Sequence, residues 1–139
     1  MKRHHILYGL ILFMSISMAF IMYRVFVPKV VLEVKELPIR VVGLTYGTTR
    51  AVIYRFNYCK FYNFPSTVNR ELHLIGHEFI VGLPTVGYSF PVGCGVVDIA
   101  EPLPSYIPPG VYRLRITYQY QGNAVTKPHI FETETFELK

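Results

Sequence analysis

The residues best equipped for chemistry in this chain are a short histidine cluster, a pair of glutamates and two cysteines. His73-Leu74-Ile75-Gly76-His77-Glu78 sets two imidazoles four residues apart. On a helix that spacing would present both to one zinc ion, with His129 or Glu78 as a third ligand. Gly76 and the alternation of Leu72 with Leu74 read instead as two strands joined by a turn, and the zincin order H-E-x-x-H is missing. Glu132 and Glu134 lie two apart, so a strand would aim both carboxylates at one face, as a glycosidase pair requires. Nothing elsewhere marks their complement, and a solvated charged face accounts for them. Beyond the N-terminal apolar run the serines are Ser66, Ser89 and Ser105, none within G-x-S-x-G. Asp98, the one aspartate, falls inside a strand pattern, and no Gly-rich phosphate loop follows a strand. The residue types therefore argue against an enzyme, and no metal or cofactor is expected.

Cys59 and Cys94 are the only cysteines, and they lack the C-x-x-C spacing of redox catalysts and thiolate metal sites. A disulfide between them would close 34 intervening residues and stabilise the fold by about 3–4 kcal/mol in the chain-entropy view. Such a bond persists only in an oxidising compartment; in the cytosol the same residues would be two unpaired thiols. The stretch from Tyr58 to Pro65 is dense in rings, and aromatics beside a basic residue are common where proteins meet. It marks Lys60, Phe61, Tyr62 and Phe64 as candidate partner contacts. The competing reading is that these rings complete the core beside the cysteines. Tyr88, in the apolar but turn-rich Leu83 to Phe90 loop, is a further candidate.

The elements that carry these residues begin with the N-terminus. Ile6 to Tyr23 is free of formal charge, and as a helix it would span roughly 27 Å, near the thickness of a bilayer core. Val25-Phe26-Val27 extend it past Arg24, whose stem can snorkel, and Pro28 stops it. Residues 1–28 thus read as an anchor contacting lipid through residues 6–27, and residues 29–139 as one exported domain. Ser17-Met18-Ala19 offers a signal-peptidase site, but Phe20-Ile21-Met22-Tyr23 continue the apolar run past it. Met1-Lys2-Arg3-His4-His5 favours a cytoplasmic N-terminus, with the domain periplasmic or extracellular, while Arg24, Lys29 and Lys35 on the other flank weaken that bias. The net charge of +5 is not a nucleic-acid signal: the first 28 residues hold three of the 14 bases and no acid, leaving 11 bases against nine acids beyond.

After Pro28 no segment keeps helical periodicity, and ten prolines and ten glycines punctuate the chain. Val30 to Val34, Arg50 to Phe61, two short runs around Gly76, Val96 to Ala100 and Val111 to Tyr120 read as strands. In the last, Tyr112, Leu114, Ile116, Tyr118 and Tyr120 share one face. Gln121-Gly122-Asn123 would turn the chain back, with Ala124 to Lys139 as a final partner. Without tryptophan, the core must come from tyrosine, phenylalanine and the aliphatics.

Pro108-Pro109-Gly110-Val111-Tyr112 resembles the tyrosine corner of immunoglobulin-like and fibronectin-like sandwiches, in which the hydroxyl bonds back to nearby backbone. Leu114 stands where antibody-type domains carry a cysteine, so the resemblance implies a Cys59–Cys94 bond of a non-antibody kind. With the anchor, Arg55-Phe56-Asn57-Tyr58-Cys59 and Pro91-Val92-Gly93-Cys94, the chain is also similar to small single-pass membrane proteins of tailed phages and prophages. The expectation is an all-β, immunoglobulin-like sandwich behind one transmembrane helix. It would be a non-catalytic module that meets another envelope or membrane protein; the alternative is a secreted or virion-associated structural protein released by leader cleavage.

Overall fold

The computed structural model describes residues 2–26, 30–46, 49–87, 90–120 and 128–139. Among the described residues one helix, α1 (Lys2–Phe26), precedes nine strands. These are β1 (Leu32–Val34), β2 (Arg40–Thr45), β3 (Arg50–Lys60), β4 (Ser66–Leu74), β5 (Ile80–Gly87), β6 (Gly93–Leu103), β7 (Gly110–Tyr120), β8 (His129–Glu132) and β9 (Phe136–Leu138). Within α1 the 19 residues His5–Tyr23 have a mean hydropathy of 2.1 and none is buried against the rest of the protein. This helix is long and apolar enough to cross a membrane. It runs without a break through Ser17-Met18-Ala19.

The strands form two antiparallel sheets, each built on one long strand. β3 pairs along one edge with the whole of β6, from Arg50↔Leu103 to Lys60↔Gly93, while β1 and then β2 follow one another along its other edge. β7 is the counterpart in the second sheet. β4 lies along one edge, from Ser66↔Tyr120 to Leu74↔Tyr112, and β8 and then β9 share the other; β5 pairs with the outer edge of β4. Alternation turns Val52, Tyr54, Phe56 and Tyr58 of β3 inward against Tyr112, Leu114, Ile116, Tyr118 and Tyr120 of β7, and all are buried. Each such side chain contributes about 1.5–3 kcal/mol on leaving water. Phe56 is at the centre: its ring stacks on Phe90 (centroids 5.1 Å apart) and Tyr118 (5.9 Å) and meets Phe131 edge-on (6.1 Å).

Two features lock the sheets together. Along one side the edge strands break at the same level, β1/β2 over residues 35–39 and β8/β9 over 133–135. Ile39 and Thr133 form a parallel bridge there; Ile39 N–H donates to Glu132 O (2.9 Å) and Glu134 N–H donates to Ile39 O (2.8 Å). Thr133 keeps β7 satisfied across its own gap: its N–H donates to Leu114 O (3.0 Å), and its hydroxyl oxygen accepts from Leu114 N–H (3.1 Å). Towards the opposite side, Arg70 of β4 and Glu101 of β6 form a buried ion pair between the sheets, and Arg70 Nη2 also donates to Pro84 O (2.6 Å). Burial pushes the Glu101 carboxyl above its ordinary value, and the Arg70 guanidinium pulls it back.

The expected disulfide is present. Cys59 and Cys94 are direct neighbours in the β3–β6 ladder, with Cα atoms 4.0 Å apart, so the bond staples one sheet rather than joining two. The expected bond of Tyr112 is present as well: its hydroxyl donates to Pro108 O at 2.8 Å, and the ring is wholly buried.

Several strand limits differ from those read in the sequence. β4 reaches back to Ser66, β6 runs on through Pro102, and β2 had no clear signal. The Leu83 to Phe90 stretch, expected as a loop, is strand as far as Gly87. Pro84 is tolerated there because β5 is an edge and its pairing with β4 shifts register between Arg70↔Leu83 and Val68↔Val86. Gln121-Gly122-Asn123 lies outside the described residues.

The Arg70–Glu101 pair generates a stability prediction. Arg70→Met leaves a buried carboxylate without its partner and should cost about 3–5 kcal/mol, whereas Arg70→Met/Glu101→Leu should recover most of that. Urea unfolding of the two variants at neutral pH checks it; equal losses would mean that the pair does not act as a unit.

Candidate functional site

The strand directions give the domain two distinct ends. β1 begins at the end next to α1 in the chain, where β3 finishes at Lys60, β4 starts at Ser66 and β6 starts at Gly93. The opposite, far end carries the β4–β5 turn and the β6–β7 connection. β3 and β7, of eleven residues each, hold these ends about 35 Å apart.

An open cleft of about 540 Å³ occupies the far end, lined by Phe79, Ile80, Val81, Gly82, Tyr106 and Pro108. One wall comes from the β4–β5 hairpin. Its turn passes through Gly76 at φ +81°, in the left-handed region that glycine adopts without a steric penalty. Leu74 N–H then donates to Phe79 O (3.0 Å), which sets Phe79 at the start of β5. Because Phe79-Ile80-Val81 are consecutive apolar residues on an alternating strand, they cannot all turn inward. Val81 enters the core and Ile80 stays exposed. Gly82 leaves open space above it, with nothing within 4 Å of where a Cβ would lie.

The other wall is residues 104–109, and it is held from below. Ile107 is buried, Arg50 Nη1 donates to Ile107 O (3.2 Å), Ile107 N–H reaches Pro104 O (3.4 Å), and the Tyr112 hydroxyl holds Pro108 O. With its base pinned, the connection presents Tyr106 at its tip, 71% exposed. The result is an open, mainly apolar recess beside β5, the end strand of its sheet among the described residues. It suits a ring or an aliphatic side chain of a partner, and β5's outer edge can take hydrogen bonds from an extended segment.

Sequence reasoning missed this site. Its signal was present in two places where apolar residues adjoin, Phe79-Ile80-Val81 and Tyr106-Ile107, since adjacent side chains on extended backbone face opposite ways. The residues singled out from sequence lie elsewhere. Phe61, Tyr62 and Phe64 are exposed at the near end, where the rings of Tyr62 and Phe64 approach to 6.0 Å. Lys60 does not join them: it is 3% exposed, and its ammonium donates to Phe90 O at 2.8 Å. Its basic charge serves the core, because a buried ammonium needs an acceptor. Tyr88 lies outside the described residues.

The residues weighed for catalysis are held apart or neutralised. His73 faces outward from β4 with Nε2 3.2 Å from Glu71 Oε2, while His77 lies in the turn. Among the described residues no group of three or more His, Cys, Asp or Glu is arranged to hold a metal. Glu132 receives Arg113 Nη1 (3.0 Å) and Arg115 Nε (3.5 Å). Glu134 lies beyond the end of β8, so the strand break separates the two carboxylates that an unbroken strand would align. Asp98 is half-exposed and takes a two-point contact from Arg55 (2.8 Å each), which lowers its carboxyl from the ordinary value.

No protein-family model and no curated protein sequence matches this chain.

His129, near the end of the core, has its ring 5.9 Å from Tyr120 in an edge-on contact and stacked on Phe131 at 6.3 Å. Burial lowers its pKa from 6.5, so below pH 6.5 the unfolded chain takes the proton first. Stability therefore falls as pH drops from 6.5 towards the lower folded value. His129→Gln should flatten that part of the curve of thermal midpoint against pH, and an unchanged slope would show that the imidazole is not the group responsible.

Proposed function

We propose that this chain is a membrane-anchored, non-catalytic, immunoglobulin-like interaction module. Its β domain stands in the periplasm or outside the cell and offers the far-end cleft to another envelope or membrane protein. The observation that carries this reading is the separation of roles along the strands: the domain is joined to an apolar, membrane-length helix at one end, and its mainly apolar recess opens at the other.

The strand order supports the immunoglobulin-like part. The chain passes from β3 in the first sheet to β4 and β5 in the second, returns for β6, and crosses again to β7, a Greek-key path. The Tyr112 corner opens β7, the position it has in such sandwiches. The Cys59–Cys94 bond supports an oxidising compartment, and Lys2 and Arg3 ahead of the apolar run support a cytoplasmic N-terminus. Continuation of α1 past Ala19 favours a retained anchor over a cleaved leader. A role at the envelope of a phage- or prophage-bearing host fits the turn and strand motifs described above.

Compartment and contact are tested separately. In intact cells Cys59 and Cys94 should resist a thiol-alkylating reagent until a reductant is added; labelling without it would place the domain in the cytosol. A photo-crosslinking residue at Tyr106 should capture a discrete protein in native membranes, one at Val96 should not, and Gly82→Phe should abolish the Tyr106 product by filling the cleft. Identical products from Tyr106 and Val96 would remove the cleft from the proposal.

A further inference from the structure

The near end of the domain has a chemistry of its own. Phe61 follows β3 directly, and its N–H donates to Val31 O at 2.9 Å. Val31 comes only five residues after Phe26, where α1 ends. Five residues of fully extended chain reach about 18 Å, so the Phe61 backbone can never be far from the end of the apolar helix. Around it Val30, Phe61, Tyr62, Phe64 and Val92 are all exposed. Aliphatic and aromatic side chains of this kind are costly to leave in water as a group, and rings with a polar tip, as in Tyr62, settle at the headgroup level of a bilayer.

Charge does not oppose such a contact. The acid nearest this end among the described residues is Glu33, opposite Cys59 in the β1–β3 ladder, and its carboxylate is paired with Lys35 Nζ at 3.3 Å. A carboxylate already paired with a lysine adds little repulsion towards anionic lipid. The far end differs, with Glu78 in its turn and Glu137 in β9.

From the placement of these rings we infer that the near end seats on the lipid headgroup layer, with Phe61, Tyr62 and Phe64 entering the interface and setting the stance of the β domain on its anchor. The inference rests on the membrane-anchored reading and goes beyond it: the seat holds the strands upright and the far-end cleft away from the bilayer. Lipid is favoured over a protein partner because the helix end lies within reach of the same few residues, which leaves little room for a folded protein between domain and membrane.

The absence of tryptophan makes the test direct. Phe61→Trp, Tyr62→Trp, Phe64→Trp, Phe13→Trp and Tyr106→Trp each give the full chain one reporter, in vesicles of phosphatidylcholine and phosphatidylglycerol with or without brominated acyl chains. The three near-end positions are exposed, so a variant that fails to form its disulfide is replaced by another of the three. Expected is clear loss of emission in brominated vesicles at positions 61 and 64, stronger loss at position 13, and none at position 106. Quenching at 13 without quenching at 61, 62 or 64 overturns the seat and leaves the anchor standing. No quenching at 13 overturns the anchor and the seat with it. Quenching at 106 equal to that at 61 overturns the upright stance, and blue-shifted but unquenched emission at 61 assigns the patch to protein contact instead.

Discussion

The two sheets depend on the seam at Ile39 and Thr133. Both edge ladders are interrupted, and an interrupted ladder leaves backbone groups that must find partners or pay a desolvation penalty. Here each gap supplies what the other lacks: Ile39 takes up Glu132 O and Glu134 N–H, and Thr133 satisfies both backbone groups of Leu114. The edges that would otherwise be open are thereby used against each other, and the register of each sheet is tied to that of its neighbour. Arg70 and Glu101 do the corresponding work towards the other side, with a different balance. The backbone bonds of the seam are neutral and local, whereas the ion pair adds little net stability but penalises any arrangement that separates its partners.

That frame sets the paired charges and the exposed rings in different places. The broad faces of the sheets present matched charges: Arg55 with Asp98 on one, and Arg113 and Arg115 with Glu132 on the other. Exposed rings collect where strands stop. At the far end Arg50 and Tyr112 fix the backbone under Tyr106, so the exposed ring stands on a rigid base. At the near end Lys60 secures Phe90 from inside while Phe61 turns out.

Much of the fold was legible in the sequence because alternation is a strong signal on long central strands. β3 and β7 could be read nearly residue by residue, as could the Tyr112 corner, the membrane-length helix and the turn at Gly76. The short pieces were not legible. β2 carries Gly43 and a register shift and buries few large side chains, so no period of two stands out. β5 contains Pro84, which on local evidence means loop and becomes tolerable only once the strand is known to be an edge. The Arg70–Glu101 pair was invisible because its members lie 31 residues apart and meet only across the core. Lys60 misled for a related reason: beside exposed rings a lysine reads as surface, and only the fold shows the carbonyl of Phe90 waiting for it.

The direction of β1 has a mechanical consequence. Its first residue lies at the near end, and the strand runs towards the far end alongside antiparallel β3. A pull between the N-terminal end of β1 and the far-end cleft, as the proposed anchoring would apply, therefore acts along the strand axes. Sliding β1 lengthwise must strain its ladder with β3, the Phe61-to-Val31 and Lys35-to-Asn57 bonds and then the Ile39 seam together, instead of opening them one after another. Such a shear geometry resists pulling far better than a zipper does, even for a strand of three residues.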